Sequence, residues 1–232
     1  MSTISLLSGG AAEGLVKALA PAFEARLGVS VSARFGAVGA MREALVAGEP
    51  SDIVILTRGM VDALAQDGLV VAKSIADIGS VPTAVAIRRG DARTDVATPQ
   101  ALALALSDAA EIHVPDLERS TAGIHFAGML AKLGLAERLA PALRPHPNGT
   151  TAMAALAASA TPGALGCTQA TEIIAQPGTQ LVGRLPADFA LSTLYSAALC
   201  VRASNGSEAE AFIAQLSSKS AKAIRLSLGF SS

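Results

Sequence analysis

The sequence predicts an α/β fold in two lobes, each a mostly parallel sheet flanked by helices. Short apolar runs, typical of buried parallel strands, alternate with longer segments whose apolar residues recur every three or four positions, as in amphipathic helices. This alternation starts at Ile4–Ser8 and gives the order βαβαβα. A second series of the same kind starts at Val81–Ile87, so we expect two units rather than one.

The composition indicates which broad class of protein to expect. Of the 232 residues, 51% are hydrophobic and 16% are charged, and the formal net charge is −1. A packed globular protein is therefore expected, whereas disorder and a nucleic-acid partner are not. No stretch approaches the roughly 18 consecutive apolar residues of a membrane span, so the chain is not expected to be inserted in a membrane.

The cysteines and aromatic residues indicate which kinds of ligand site to expect. Cys167 and Cys200 lie in apolar runs without the spacing of a metal site, so we expect no metal and no cofactor. The chain has no Trp and one Tyr, Tyr195, whereas sites for sugars and nucleobases usually rely on stacked aromatic rings. A ligand, if there is one, is expected to be small and polar.

In the first lobe, a glycine-rich or polar turn follows each of three predicted strands. The strands are Ile4–Ser8, Val29–Phe35 and Asp52–Leu56, and the helices after them are Ala11–Leu27, Ala40–Ala47 and Gly59–Asp67. In a parallel sheet with right-handed crossovers, the three turns lie at one edge. The first N–H groups of a helix have no partner within it, and the helix dipole is positive there, so these turns predict an anion site.

The rest of the chain repeats the pattern. The predicted strands are Val81–Ile87, Glu111–Val114, Gly163–Thr168, Gln180–Gly183 and Leu194–Val201, with one more ending near Pro147. The predicted helices are Pro99–Leu106, Ile124–Leu133, Ala152–Ala160, Glu208–Leu216 and Ser220–Leu226. The arginines of the turn Arg88-Arg89 are expected to face solvent. We expect one lobe to comprise residues 1–80 with 190–232 and the other 81–189.

In order along the chain, these segments resemble the type II periplasmic-binding proteins, and among them the solute-binding proteins for molybdate and similar oxyanions. The matching segments are LLSGGAAEGLVKALAPAFEARLGVSVSARFGAVGAMREALVAGEPSDIVIL, PDLERSTAGIHFAGMLAKLGL, NGTTAMAALAASATPGALGCTQATEI and VGRLPADFALSTLYSAALCV. The resemblance implies that the chain crosses between its lobes near Ser80–Pro82 and Pro186–Phe189. It also implies that hinge motion encloses a ligand in the cleft between the lobes.

The resemblance also implies ligand contacts in four loops. Their positions here are Ser8, Gly9, Gly10 and Ala11 in the first, Ala37, Val38 and Gly39 in the second, Arg119, Ser120, Thr121 and Gly123 in the third, and Asn148, Gly149 and Thr150 in the fourth. The molybdate pattern has serine hydroxyls in the first two loops, where this chain has Ala11-Ala12 and Val38-Gly39. Two donors to a tetrahedral oxyanion are therefore missing, which disfavours molybdate. Arg58, Arg119 and His125 are the candidate cations for a carboxylate ligand.

Two functions remain open. The first is an ABC-transporter substrate-binding protein, a monomer that captures a small oxyanion or carboxylate for a membrane permease. The second is an isomerase of a di- or tricarboxylate, because aconitate isomerases share this fold. Such proton transfer needs a base, and the candidates are His125, Glu13, Glu172 and Asp116, among which spacing does not choose. The protein would be periplasmic if a signal peptide has been removed, and cytoplasmic otherwise.

Overall fold

A computed structural model describes residues 2–231 of the chain. In chain order, its strands and helices are β1 (Thr3–Gly9), α1 (Glu13–Leu27), β2 (Ser30–Gly36), α2 (Val38–Val46), β3 (Ile53–Thr57), α3 (Arg58–Gln66), β4 (Ala76–Arg88), α4 (Pro99–Asp108), β5 (Ile112–Pro115), α5 (Thr121–Lys132), α6 (Ala136–Leu139), β6 (Leu143–His146), α7 (Gly149–Ala158), β7 (Leu165–Gln169), α8 (Ala170–Ala175), β8 (Thr179–Arg184), β9 (Ser192–Leu199), α9 (Gly206–Ser217) and α10 (Lys222–Ser227). Short 3₁₀ helices cover Gly10–Ala12, Ala72–Ser74, Ala140–Ala142 and Ala187–Phe189.

The chain forms two compact units. The first unit comprises residues up to Ser80 together with those from Leu194 onwards, and the second unit comprises Val81–Thr193. The predicted α/β class is confirmed, since each unit combines strands with helices. That the units are separate domains, with a ligand cleft closed by hinge motion, stays a prediction.

The first unit is built on the strand order β2-β1-β3-β9. β1 is parallel to β2 and β3, as predicted, whereas β9 is antiparallel to β3. Leu15, Leu19 and Phe23 recur every four residues on α1 and are buried, which is why this segment forms a helix against the sheet. The ring centroids of Phe23 and of Phe212 on α9 are 4.8 Å apart, so the C-terminal part of the chain completes this core.

The second unit is built on the strand order β8-β4-β7-β5-β6. β5 is parallel to β6 and β7, and β4 is antiparallel to both β7 and β8. Ile112 and Val114 of β5 belong to one buried cluster with Leu102 of α4 and Phe126 of α5. The sheet therefore packs one face against these helices and presents the carboxyl ends of its parallel strands to the loops before α5 and α7.

The start of β4 and the surroundings of Arg88 differ from the sequence-based expectation, whereas β6 ends at His146, close to the predicted strand end near Pro147. β4 begins at Ala76 rather than Val81, and it starts in the first unit and ends in the second. β6 is an edge strand with Pro145 inside it, and a proline there weakens the strand pattern in the sequence because it cannot donate to a neighbouring strand. Arg88 does not face solvent as predicted, because it pairs with Asp91 and donates to the carbonyl of Ser159.

Candidate anion-binding site

In the first unit, three adjacent strands lead into helices at the same edge of the sheet. β1 leads into a 3₁₀ turn and α1, β2 into α2, and β3 into α3. The residues preceding the 3₁₀ turn, α2 and α3 are Gly9, Ala37 and Thr57, and none of these three makes a side-chain capping hydrogen bond. No side chain at these cap positions occupies the first-turn N–H groups, and such groups bind anions readily.

The first and second loops pack directly on each other. A Cβ added to Gly9 would lie 2.7 Å from Val38 Cγ1 and 3.3 Å from Tyr195 Cε1, so glycine is required for this close approach. Ser8 is fully buried and its hydroxyl donates to the carbonyl of Gly9 at 3.0 Å. The side chains of both loops are therefore used for packing, which leaves the backbone as the donor to a ligand. Sequence reasoning did not place Tyr195 here, because nothing in the sequence brings β9 beside β3.

Arg58, a predicted cation for the ligand, is already paired with two carboxylates. Its Nε lies 2.9 Å from Asp62 Oδ1, and its Nη1 lies 2.9 Å from Asp77 Oδ1. Burial raises the pKa of Asp77, but hydrogen bonds from Ser196 and Arg58 outweigh burial and lower it overall. The charge of Arg58 is thus balanced within the first unit, which makes it a weaker candidate than the sequence suggested.

The third loop lies between β5 and α5 in the second unit. Asp116 Oδ1 accepts hydrogen bonds from the N–H groups of Glu118 and Arg119, both at 2.8 Å, which fixes the turn. A Cβ on Gly123 would lie 2.0 Å from the carbonyl oxygen of Asp116, so the first turn of α5 packs on that backbone. Ser120 precedes α5 but does not cap it with its side chain. Asp116, a candidate base, therefore has a structural role in the loop.

His125 follows this loop by one helical turn. Its Nε2 lies 2.7 Å from the carbonyl oxygen of Phe189. A carbonyl can only accept, so the proton is on Nε2, and in the neutral ring Nδ1 is then an acceptor. A neutral His125 could therefore accept a proton at Nδ1.

The fourth loop is stabilised by side chains of the protein itself. Asn148 Oδ1 accepts from the N–H of Thr151 at 2.9 Å, and the backbone of Asn148 donates to Thr151 Oγ1 at 3.2 Å, forming a capping box. A Cβ on Gly149 would lie 1.9 Å from Glu172 Oε2, so the carboxylate of Glu172 lies against the first residue of α7. Glu172 is buried and accepts from Thr168 Oγ1 at 2.5 Å. The start of α7 therefore already faces a carboxylate of the chain, which the helix dipole favours.

Sequence reasoning missed three buried polar side chains in the second unit. Within residues 2–231, Thr83 Oγ1, Gln169 Oε1 and Thr171 Oγ1 are buried without a hydrogen-bond partner. Thr83 and Gln169 lie opposite each other on β4 and β7, and Gln169 Nε2 is 3.4 Å from Thr193 Oγ1. A buried polar group without a partner costs about 1–3 kcal/mol, so a ligand or water is expected to satisfy these groups. The polar turn after a buried strand, Gln169–Glu172, was the sequence signal for two of them.

Glu13, the remaining candidate base, already has a cationic partner. Glu13 lies in the first turn of α1 and pairs with Lys17 at 2.6 Å.

Cys167 and Cys200 are buried free thiols, and burial raises the pKa of each to about 12. Among residues 2–231, no group of three or more His, Cys, Asp or Glu side chains is arranged to hold a metal ion. In the same range, no helix has both the length and the apolar character needed to cross a membrane.

Comparison with known proteins assigns the family. The chain is 29% identical over 231 residues to an aconitate isomerase from a Pseudomonas species, and the match covers 97% of this chain and 86% of that protein. It is similar to the periplasmic molybdate-binding protein of Azotobacter vinelandii, with a TM-score of 0.82 and 19% identity over 99% of each chain. It is also similar to the sulfate-binding protein SubI of Mycobacterium tuberculosis, with a TM-score of 0.74 and 18% identity over 99% of this chain and 86% of that one. Because residues 4–231 match the family of bacterial extracellular solute-binding proteins, the chain belongs to that family.

Proposed function

We propose that this protein captures a small anion, an oxyanion or a small carboxylate, and delivers it to the permease of an ABC transporter. The observation that carries this proposal is the set of helix N-termini without side-chain caps, three at the ends of the neighbouring parallel strands β1, β2 and β3 and one at the end of β5. Family membership supports it, and so do the structural neighbours that bind molybdate and sulfate. The family is extracellular, so the proposed compartment is the periplasm.

The proposed ligand contacts are those of the four loops, with the buried polar side chains added. In the first unit they are the backbone groups of residues 8–11 and 37–39. In the second unit they are residues 119–123 and 148–150, together with Thr83, Gln169 and Thr171. Each helix N-terminus supplies about half a positive charge, so a full cation is needed beside them for a carboxylate. Arg119, exposed just before α5, is the proposed one.

The test places a carboxylate where the ligand is proposed to bind. Ala37→Asp would add an acidic N-cap to α2, which stabilises a helix but fills the anion position. Thr98→Asp is the matched control, because Thr98 already caps α4 through the N–H of Ala101 at 3.1 Å and lies outside the proposed site. We expect at least about a tenfold loss of affinity in Ala37→Asp and none in Thr98→Asp.

Sulfate, molybdate and cis-aconitate are the probes, and titration calorimetry measures the affinities. The wild type is screened first by thermal unfolding, since a ligand at 100 times its dissociation constant adds about 2.7 kcal/mol to the free energy of unfolding. Equal affinities in the two variants would mean that the anion binds elsewhere. No response of the wild type to any of the probes would contradict the proposed ligand class.

The alternative, an isomerase, is favoured by one observation, the 29% identity to an aconitate isomerase along nearly the whole chain. The reaction needs a base near an acidic C–H group and donors for the enolate charge that develops. His125 would be the base through Nδ1, since its Nε2 proton is held by Phe189. The N–H groups at the start of α5, one turn away, would be donors to the enolate.

A further inference from the structure

Three side chains of the second unit form a continuous chain of hydrogen bonds that the proposed function does not use. Glu111 Oε2 lies 3.3 Å from Nε2 of His113, and Nδ1 of His113 lies 3.1 Å from Nε2 of His146. Glu111 immediately precedes β5, His113 lies on β5, and His146 is the last residue of β6. His113 is only 5% exposed. The chain of contacts therefore joins the edge strand β6 to its one neighbour in the sheet, β5.

The contacts fix where the protons lie. An ionised carboxylate only accepts, so Nε2 of His113 carries the proton that faces Glu111. In the neutral ring Nδ1 of His113 is then an acceptor, and Nε2 of His146 must be the donor. The ring centroids are 5.3 Å apart and the planes differ by 18°. Since the nitrogens are 3.1 Å apart, the rings meet edge to edge, which suits a hydrogen bond along their common plane.

The surroundings favour the neutral form of both imidazoles. Burial lowers the pKa of His113, and the nearby Arg144 lowers it further, although Glu111 opposes both. Burial and His113 lower the pKa of His146. Glu111 is held in place by Ser159 Oγ at 2.8 Å, by Thr161, and by Arg144 Nε at 3.6 Å. The charged groups that face the pair are therefore one carboxylate on the β5 side and one guanidinium on β6.

We propose that Glu111, His113 and His146 form an acid-sensitive latch that fastens β6 to β5. With both rings neutral, one nitrogen donates and the other accepts. When both rings are protonated, two N–H groups face each other at 3.1 Å with no acceptor between them, and the contact is lost. β6 is only four residues long and pairs with β5 along those four residues, so losing this side-chain contact weakens its attachment. His146 precedes Asn148, the cap of α7, by two residues, so release of β6 loosens the start of α7.

The test uses the fact that the chain has three histidines. With histidine labelled by ¹⁵N and ¹³C, NMR follows each ring through a pH titration. We expect His113 and His146 to be Nε2-protonated, and to gain protons in a coupled manner below the ordinary histidine value of about 6.5. In His113→Asn the midpoint of His146 should move towards that value. The ring signals of His125, on α5, complete the assignment of the three histidines in both proteins.

An unchanged midpoint of His146 in His113→Asn, or an Nδ1-protonated tautomer of His113 in the wild type, would overturn the latch. Hydrogen exchange of the wild type gives a second measurement that needs no variant. After correction for the intrinsic rate, protection of the β6 amides should fall at least about tenfold more than that of β7 between pH 7 and a pH below both histidine midpoints measured by NMR. Equal changes in the two strands would also rule out the latch. Neither measurement depends on a ligand, so each result is independent of the proposed function.

Discussion

At the scale of single residues, Gly123 and Gly128 occupy the same helix but have different surroundings. A Cβ on Gly123 would meet the carbonyl oxygen of Asp116 at 2.0 Å, whereas one on Gly128 would meet open space. Alanine at 123 must push α5 away from the third loop, because a backbone oxygen cannot rotate aside. Alanine at 128 only gains helix propensity.

We therefore expect opposite effects of the two substitutions on stability. Gly123→Ala should lower the free energy of unfolding by about 1–3 kcal/mol through overpacking. Gly128→Ala should raise it by up to about 1 kcal/mol. Urea denaturation of both variants beside the wild type measures the difference. Equal stabilities would show that the third loop does not depend on the contact between α5 and Asp116.

At the scale of elements, the carboxylate of Asp52 joins three parts of the first unit. Its Oδ2 accepts from the N–H and the hydroxyl of Ser5 on β1, at 2.8 and 3.0 Å. Its Oδ1 accepts from the N–H groups of Ser204 and Asn205, at 2.6 and 3.0 Å, just before α9. One buried side chain before β3 thus fixes the position of β1 and the entry into the C-terminal helices.

Replacing this carboxylate should be costly at neutral pH. Asp52→Asn keeps the shape but turns two acceptors into one, so we expect a loss of about 2–3 kcal/mol in the free energy of unfolding. Asp67→Asn is the control, because Asp67 is 56% exposed and its pair with Arg42 spans 3.8 Å. Such a surface pair contributes at most about 1 kcal/mol. A loss in Asp52→Asn no larger than in Asp67→Asn would argue against the network.

The lowered pKa of Asp52 predicts how the stability difference between the wild type and Asp52→Asn depends on pH. Burial raises the pKa of Asp52, but the hydrogen bonds from Ser5, Asn205 and Ser204 outweigh burial and lower it overall. A carboxyl with a lowered pKa stabilises the fold fully above its ordinary value of about 4, and less as the pH falls through that value. The gap between wild type and Asp52→Asn should therefore narrow below about pH 4. A gap that widens there would mean that the pKa is raised instead.

At the scale of the whole molecule, a carrier and an isomerase differ in whether the bound anion is changed. A carrier needs only affinity, whereas an enzyme must also move a proton at a useful rate. We expect the purified protein to leave cis- and trans-aconitate unchanged, as measured by ultraviolet absorbance. Interconversion that scales with protein concentration and is lost in His125→Gln would reject the carrier and support the isomerase. Thermally unfolded protein is the blank.

Much of this architecture could be predicted from the sequence because local patterns encode it. The apolar runs at Ile53–Leu56 and Leu165–Cys167 can only be buried, and the period of Leu15, Leu19 and Phe23 requires a helix with one apolar face. The glycines at 9 and 36 mark turns between a strand and a helix. Strand direction is not encoded in this way, because a buried apolar strand has the same sequence pattern whether its neighbour is parallel or antiparallel. The antiparallel pairing of β4 and β9 with their neighbours therefore emerged only from the structure.

For the candidate site, too, some features follow from the sequence and others only from the tertiary structure. The sequence by itself determined the four loops, because each lies where a strand ends and a helix begins. Only the tertiary structure decided which side chains serve them: Arg58 is paired by Asp62 and Asp77, and Glu172 lies against α7. Likewise, only the tertiary structure brings Thr83 beside Gln169 and His113 beside His146. The physical reason is that hydrogen bonds and ion pairs depend on distances of about 3 Å between residues far apart in the chain, and these are set by packing rather than by any local pattern.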